Sequence, residues 1–245
     1  PNISILLKKI SLNKIFIFYP SPRLYIAAKL AGIKNVYSYP LFRKKNLHLV
    51  NAANKFTCES LNIDSCPTET KFFIDHKKTD HAKKYFTKDN YNIVIGAGSS
   101  GPDTRWGEKN FISLINKLNA IGNYYFYIQC GPEQNEISKN IINKIEKKNC
   151  MDLSKMNISE IIPILSLCDM YVGNDSFSHH ITSQCNKPSI VLLLNSPKAY
   201  SDYSKNHHRI IPENAKLEEL DHSSNYSASS IGIEKVLNKV LELKN

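Results

Sequence analysis

Residues 93–106 read Ile-Val-Ile-Gly-Ala-Gly-Ser-Ser-Gly-Pro-Asp-Thr-Arg-Trp. An apolar run passes into Gly96, Gly98 and Gly101, a GxGxxG pattern that after a strand suggests a dinucleotide pyrophosphate loop. The second half of the stretch argues otherwise. In a dinucleotide-binding unit the helix opens within the glycine turn, so that its first N–H groups meet the pyrophosphate. Here Pro102, Asp103 and Gly107 intervene, and helical periodicity begins only near Glu108. An acidic residue should hold the ribose about 20 positions on, but the next apolar run, 124–129, ends in Gln-Cys-Gly-Pro. What survives is a glycine-serine loop with a cation, Arg105, ahead of a helix. Such a loop suits the phosphate of a ligand other than a dinucleotide.

The same alternation continues in both directions. Residues 14–19 and 33–39 read as strands around a helix over 22–31 that opens with Pro22 and stops at Gly32. A helix is expected over 46–62, and the polar stretch 65–70 around Pro67 resembles a boundary. Strands follow at 91–95, 124–129, 170–173, 188–194 and 208–211. Helices are expected at 108–121, 133–148, 157–168, 178–184 and 227–243, and Asn157 to Glu160 resembles a capping box. The run 188–194 is apolar on both faces, as in a parallel sheet. Strands alternating with helices make this a doubly wound α/β chain.

The chain has 245 residues, 42% of them hydrophobic, and a net charge of +10. That charge suits a phosphorylated substrate, an anionic membrane surface or nucleic acid. No basic run interleaved with aromatics marks a nucleic-acid footprint. The six cysteines form no CxxC and no zinc spacing, so they read as reduced thiols of a cytoplasmic protein. No stretch approaches the roughly 18 apolar residues of a membrane span.

Ligands of parallel α/β sheets bind at the carboxyl ends of the strands. That rule selects loops 97–106, 131–133, 152–157 and 174–180. Ser176, with the N–H groups of the helix that follows, offers an oxyanion site, and His180 offers a hydrogen-bond donor. Asp175 would hold loop N–H groups or orient His180. Glu133 could accept from a ribose hydroxyl, and Met156 could lie on a base. Each has an ordinary alternative: a helix cap, a surface histidine, a first-turn glutamate, a core methionine.

The ordered set resembles glycosyltransferase family 9, the heptosyltransferase-like enzymes of lipopolysaccharide core assembly. The resemblance runs from about 93 to 211. It rests on Gly98-Ser99-Ser100 leading to Arg105-Trp106, on Gly131-Pro132-Glu133, on Ser154-Lys155-Met156, and on Asn174-Asp175-Ser176 with His180. Ser196-Pro197 and Tyr203-Ser204 resemble later turns of the family.

The resemblance implies a GT-B-like α/β protein with two Rossmann-like parallel-sheet domains, the first incomplete. Residues 1–88 would be a partial acceptor-side domain and linker, and 89–226 the nucleotide-sugar domain. Residues 227–245 would form a helix returning to the first domain. It implies inverting, metal-independent transfer of a heptose from a nucleoside-diphosphate sugar, an ADP-heptose. No separate cofactor, metal or nucleic acid is expected. Ser99, Ser100 and Arg105 would meet the diphosphate, Glu133 the ribose and Met156 the adenine. Asp175, Ser176 and His180 would cradle phosphates and sugar. The acceptor would be a phosphorylated lipid-linked saccharide at the inner membrane face, with Arg43, Lys44 and Lys45 as a candidate membrane contact. The family's catalytic base belongs to an opening strand and glycine loop that residues 1–39 do not resemble, so no base is named.

Three departures stand out: Phe177 replaces a usual glycine, Thr104 a usual basic residue, and Ser196 a usual glycine. They motivate an alternative, a non-catalytic or degenerate nucleotide-binding module. An FAD- or NAD-dependent oxidoreductase acting through Gly96, Gly98 and Gly101 is a lesser alternative. A serine hydrolase is weaker still, because Ser99 and Ser100 lie outside GxSxG.

Overall fold

Pro22 fixes the φ of a first helical turn, and Ser21 before it accepts the Leu24 N–H at 3.2 Å. In the computed structural model, which describes residues 3–39, 49–67, 72–87 and 89–244, this start positions the first of two compact units. That unit is Pro1–Thr68. It contains α1 (Ile3–Ile10), β1 (Lys14–Ile17), α2 (Pro22–Leu30), β2 (Asn35–Ser38) and α3 (Leu49–Leu61). The strands β1 and β2 pair in parallel, Ile15 beside Val36, with the Phe16 and Tyr37 rings stacked at 4.8 Å. Gly32 ends α2 at φ +83°, in the left-handed region that favours glycine. Both strands are shorter than their apolar runs, and α1 has no counterpart among the expected elements. Arg43, Lys44 and Lys45 lie outside the described residues.

The second unit, Glu69–Asn245, holds α4 (His76–Ala82), β3 (Tyr91–Gly96), α5 (Glu108–Ile121), β4 (Tyr124–Gln129), α6 (Asn135–Ile142) and β5 (Cys150–Asp152). It continues with α7 (Ile158–Leu167), β6 (Met170–Asn174), α8 (Phe177–Gln184), β7 (Ser189–Leu192), β8 (His207–Ile210) and α9 (Ile233–Lys244). The division falls within the polar stretch 65–70. The reason is physical: Ala82 of α4 is buried with Ile161, Ile164 and Leu165 of α7 in one apolar cluster.

All six strands are parallel, in the order β5-β4-β3-β6-β7-β8. Successive residues of a strand face opposite sides of the sheet. Ile93 and Ile95 of β3 therefore join Phe111, Leu114 and Leu118 of α5, Ile141 of α6, and Val236 and Val240 of α9 on one face. Val94, Tyr127 and Tyr171 join α4 and α7 on the other. Truncating a fully buried leucine such as Leu114 to alanine costs about 2–5 kcal/mol.

The apolar face of α9 is buried within the second unit, against α5. The helix expected over 133–148 is shorter, a 3₁₀ turn at Pro132–Gln134 followed by α6, although Ile145 still packs on the core. Strand order reverses between β3 and β6. This topological switch point opens a crevice at the carboxyl ends of those two strands, where ligands of open α/β sheets bind. No described helix is long and apolar enough to cross a membrane.

Candidate functional site

At the switch point β3 and β6 approach with Gly96 opposite Gly173. A methyl group on Gly173 would collide with the Gly96 backbone, and one on Gly96 with the Tyr171 hydroxyl. These glycines therefore serve strand approach and the packing of Tyr171. The Tyr171 hydroxyl donates to Asn174 O at 2.6 Å and lies 3.1 Å from Ser176 Oγ, bracing the turn that follows β6. Gly98 is likewise explained by a neighbour, since a side chain there would collide with Gln134.

The 97–106 loop is latched from two sides. Asn174, fully buried, donates from Nδ2 to Ala97 O at 2.8 Å and accepts the Trp106 N–H at Oδ1 at 2.9 Å. Gln134 donates from Nε2 to Ser99 O at 2.7 Å, and its Oε1 accepts the Ser99 N–H at 3.2 Å. Arg105 adds Nε and Nη2 donors to the same Ser99 carbonyl, at 3.2 and 2.9 Å. The Ser99 hydroxyl is hydrogen-bonded to Thr104 Oγ1. Beyond the loop, Gly107 at φ +91° lets the chain enter α5, and Trp106 Nε1 donates to Ile231 O at 2.8 Å.

A cavity of about 870 Å³ lies over the carboxyl ends of β3 to β6. Its wall includes Ser99, Ser100, Glu133, Met156, Asp175 and Ser176, six of the eight residues expected at the site. Asn135, Ile158 and Phe177, the first residues of α6, α7 and α8, share that wall. Three helix N-termini, with their positive dipole ends, thus border one space, that of α7 carrying the Asn157–Glu160 capping box. Lys155 supplies a cation. Met156, Ile158, Ile161 and Phe177 add apolar side chains to the same wall. Polar anchors and apolar side chains on one wall suit a ligand with an anionic centre and a flat apolar part.

The 154–157 turn is held from beneath by Asp152. Its Oδ1 accepts the Ser138 hydroxyl at 2.6 Å and the Ser154 N–H at 2.9 Å. Burial opposes the carboxylate, but these hydrogen bonds outweigh it and hold the Asp152 carboxyl below the usual range. Burial pushes the Cys130 thiol, also on the cavity wall, up to about 12.

Arg105 and His180, expected in the same cradle, are absent from the cavity wall. The Arg105 guanidinium is turned onto the Ser99 carbonyl and borders a second hollow with Trp106, Lys109 and Asn110. His180 is hydrogen-bonded through Nδ1 to the Tyr203 hydroxyl. Burial and the neighbouring His179 pull its pKa down to about 4. Asp175 orients a different histidine: its Oδ1 lies 2.7 Å from His179 Nε2. Helical spacing could have found this pair, since His179 stands at i+4 from Asp175 and His180 at i+5. His179 in turn meets His207 Nε2 through Nδ1 at 3.3 Å. Burial, with His179 and His180 nearby, pulls His207 down to about 3. Gln134 and Asn174, the two latches, were given no role in the sequence reading. Gln134 is three residues past Gly131 and Asn174 begins a quoted motif, but their partners are distant in sequence.

The second unit, with its cavity at the switch point, has the α/β fold of GT-B-type glycosyltransferases. Its sequence agrees: residues 31–228 match the profile of glycosyltransferase family 9 (heptosyltransferase), and the chain belongs to that family. It is 27% identical over 184 residues to lipopolysaccharide heptosyltransferase 1 of Campylobacter coli, covering 71% of this chain but only 54% of that protein. The structure superposes on a family 9 glycosyltransferase from Veillonella parvula with a TM-score of 0.80, at 17% identity over 98% of this chain and 77% of that one. It superposes on E. coli ADP-heptose lipopolysaccharide heptosyltransferase II with a TM-score of 0.76, at 15% identity over 98% of this chain and 78% of that one.

Proposed function

We propose that this chain supplies the donor-binding part of a transferase that moves a heptose from ADP-heptose to a lipopolysaccharide-core or related glycan acceptor. One observation carries the reading. A single cavity gathers Ser100, Ser176, Lys155 and the N-termini of α6, α7 and α8 with the apolar side chains of Met156, Ile158 and Phe177, and Glu133 is on the same wall. The diphosphate lies among the helix N-termini and Lys155, the ribose hydroxyls reach Glu133, and adenine rests on Met156. ADP-heptose is the sugar nucleotide in the name of the E. coli enzyme, and heptosyl transfer is the activity in the name of the Campylobacter relative.

As the sugar leaves, negative charge grows on the departing diphosphate. Fixed dipoles and a cation aimed at that charge favour the transition state over the bound donor. This way of stabilising the leaving group requires no metal in the donor cavity, and attack from the opposite face inverts the anomeric centre. The acceptor is a phosphorylated, lipid-linked saccharide met at the inner membrane face, which suits a chain of net charge +10.

Phe177 favours a second reading, a nucleotide-binding module without transfer. It is the first residue of α8 and occupies the wall where the family usually has glycine, so its ring narrows the approach to that helix N-terminus.

Calorimetric titration of the chain with ADP, UDP and GDP tests the proposal. Binding of ADP in preference to both others supports it. Preference for UDP or GDP keeps the cavity and replaces the donor, and absence of binding by all three removes the donor role.

A further inference from the structure

Outside the donor cavity, α8 and the start of β8 bring three imidazoles together. His179, His180 and His207 each offer a ring nitrogen, and these atoms all lie within 4.8 Å of one another. His179 and His207 are buried, and His180 is half-buried. The geometry points to a divalent transition-metal site here, with zinc the fitting ion: His179 Nδ1, His207 Nε2 and one nitrogen of His180 as ligands.

Three features carry this. First, one ligand pair already has the spacing, and the third nitrogen lies within 4.8 Å of both. Zinc–nitrogen bonds of about 2.0–2.1 Å in a tetrahedron place two ligand nitrogens about 3.4 Å apart, and His179 Nδ1 stands 3.3 Å from His207 Nε2. Secondly, two of the three rings have an outer partner in place, while the buried His207 Nδ1 has none among the described residues. A metal-bound histidine nearly always donates its other N–H to a carboxylate or carbonyl, which fixes its tautomer. His179 Nε2 is 2.7 Å from Asp175 Oδ1, so the N–H is directed there and the Nδ1 lone pair is left facing His207. The His180 ring is held in its turn by the Tyr203 hydroxyl. Thirdly, the donor set is all imidazole, without thiolate, which selects zinc, nickel, cobalt or copper over magnesium or calcium.

A metal here would clamp α8 to the start of β8. It would also act on the donor cavity at one remove, because Asp175 is shared between the cavity wall and His179. The ion is structural in this arrangement and touches no substrate. The site stands independently of the donor assigned above.

The test uses the untagged full chain, incubated with zinc, dialysed and assayed by elemental analysis, with cobalt(II) absorption as a second readout. The expected result is about one zinc per chain and the visible d–d bands of low-symmetry four-coordinate cobalt. His180→Ala and His207→Ala should each abolish both signals, while His222→Ala, on an exposed loop, should keep them. Asp175→Asn should weaken zinc affinity about 10- to 100-fold, the effect of removing an outer-shell partner. If His207→Ala does not fold, as judged by circular dichroism, His180→Ala decides. No retained metal in the parent chain, or retention undiminished in His180→Ala and His207→Ala, overturns the site and leaves a network of hydrogen-bonded neutral imidazoles.

Discussion

The side chain of Gln134 and the backbone of Ser99 form a closed two-bond ring, Nε2 to Ser99 O at 2.7 Å and Ser99 N–H to Oε1 at 3.2 Å. The ring joins the loop after β3 to the turn after β4, and both loops line the switch-point cavity. Gln134→Ala leaves the Ser99 N–H without this partner. Such a loss costs about 1–3 kcal/mol of local order. The expected outcome is about tenfold weaker ADP binding by calorimetry, with a smaller drop in Tm. Unchanged affinity would separate the loop from the ligand.

Asn174 acts on the fold more than on the ligand. It is fully buried and bonds both Ala97 O and Trp106 N–H. Asn174→Ala removes both bonds and leaves two backbone groups unpaired. A loss of about 2–4 kcal/mol in denaturant unfolding is expected. A loss below about 0.5 kcal/mol, the range of an ordinary surface change, would mean that the loop closes without this latch.

Arg105 reaches the Ser99 carbonyl with two donors of one planar group. Lysine has no such fork. Arg105→Lys and Arg105→Ala are therefore expected to weaken ADP binding to a similar extent, through the loop. Full retention of affinity in the lysine variant alone would instead mark Arg105 as a simple charge beside the phosphate.

Phe177 stands where the helix N-terminus meets the cavity. Phe177→Gly opens that approach at a helix cost of about 1 kcal/mol or less. Tighter ADP binding with a slightly lower Tm is expected. Weaker binding would show that the ring is part of the ligand's apolar wall.

Asp152 gives the structure a pH dependence. Its folded pKa is depressed, so its stabilising effect is present above the unfolded carboxyl value of about 3.9 and fades as pH falls through the lower folded value. Asp152→Asn should therefore destabilise the chain near pH 7, by about 1–2 kcal/mol for the loss of charged acceptors. It should matter less near pH 3. Equal destabilisation at both values would mean that Asp152 acts through packing.

Much of the second unit was legible because its signals are local. Ile93 to Ile95 is apolar on both faces, and Phe111, Leu114 and Leu118 repeat at helical spacing, so β3 and α5 follow from the sequence. The carboxyl-end rule then gathered Ser100, Glu133, Met156 and Ser176 without knowledge of the sheet order. What escaped depends on contacts that hydrophobic periodicity does not show, most of them distant in sequence. Gly96 and Gly98 look like phosphate glycines, but their neighbours are Tyr171 and Gln134. Arg105 looks like a free cation until Ser99 O is known to face it. His180 looks like a ligand donor until Tyr203, 23 residues on, takes its Nδ1.

A crystal structure of the chain with ADP decides whether the cavity over β3 to β6 is the nucleotide site. Adenine is expected against Met156, ribose at Glu133, and the diphosphate between Ser100 and the N-terminus of α8 at Ser176. ADP seated instead in the hollow of Arg105, Lys109 and Asn110 would contradict this placement.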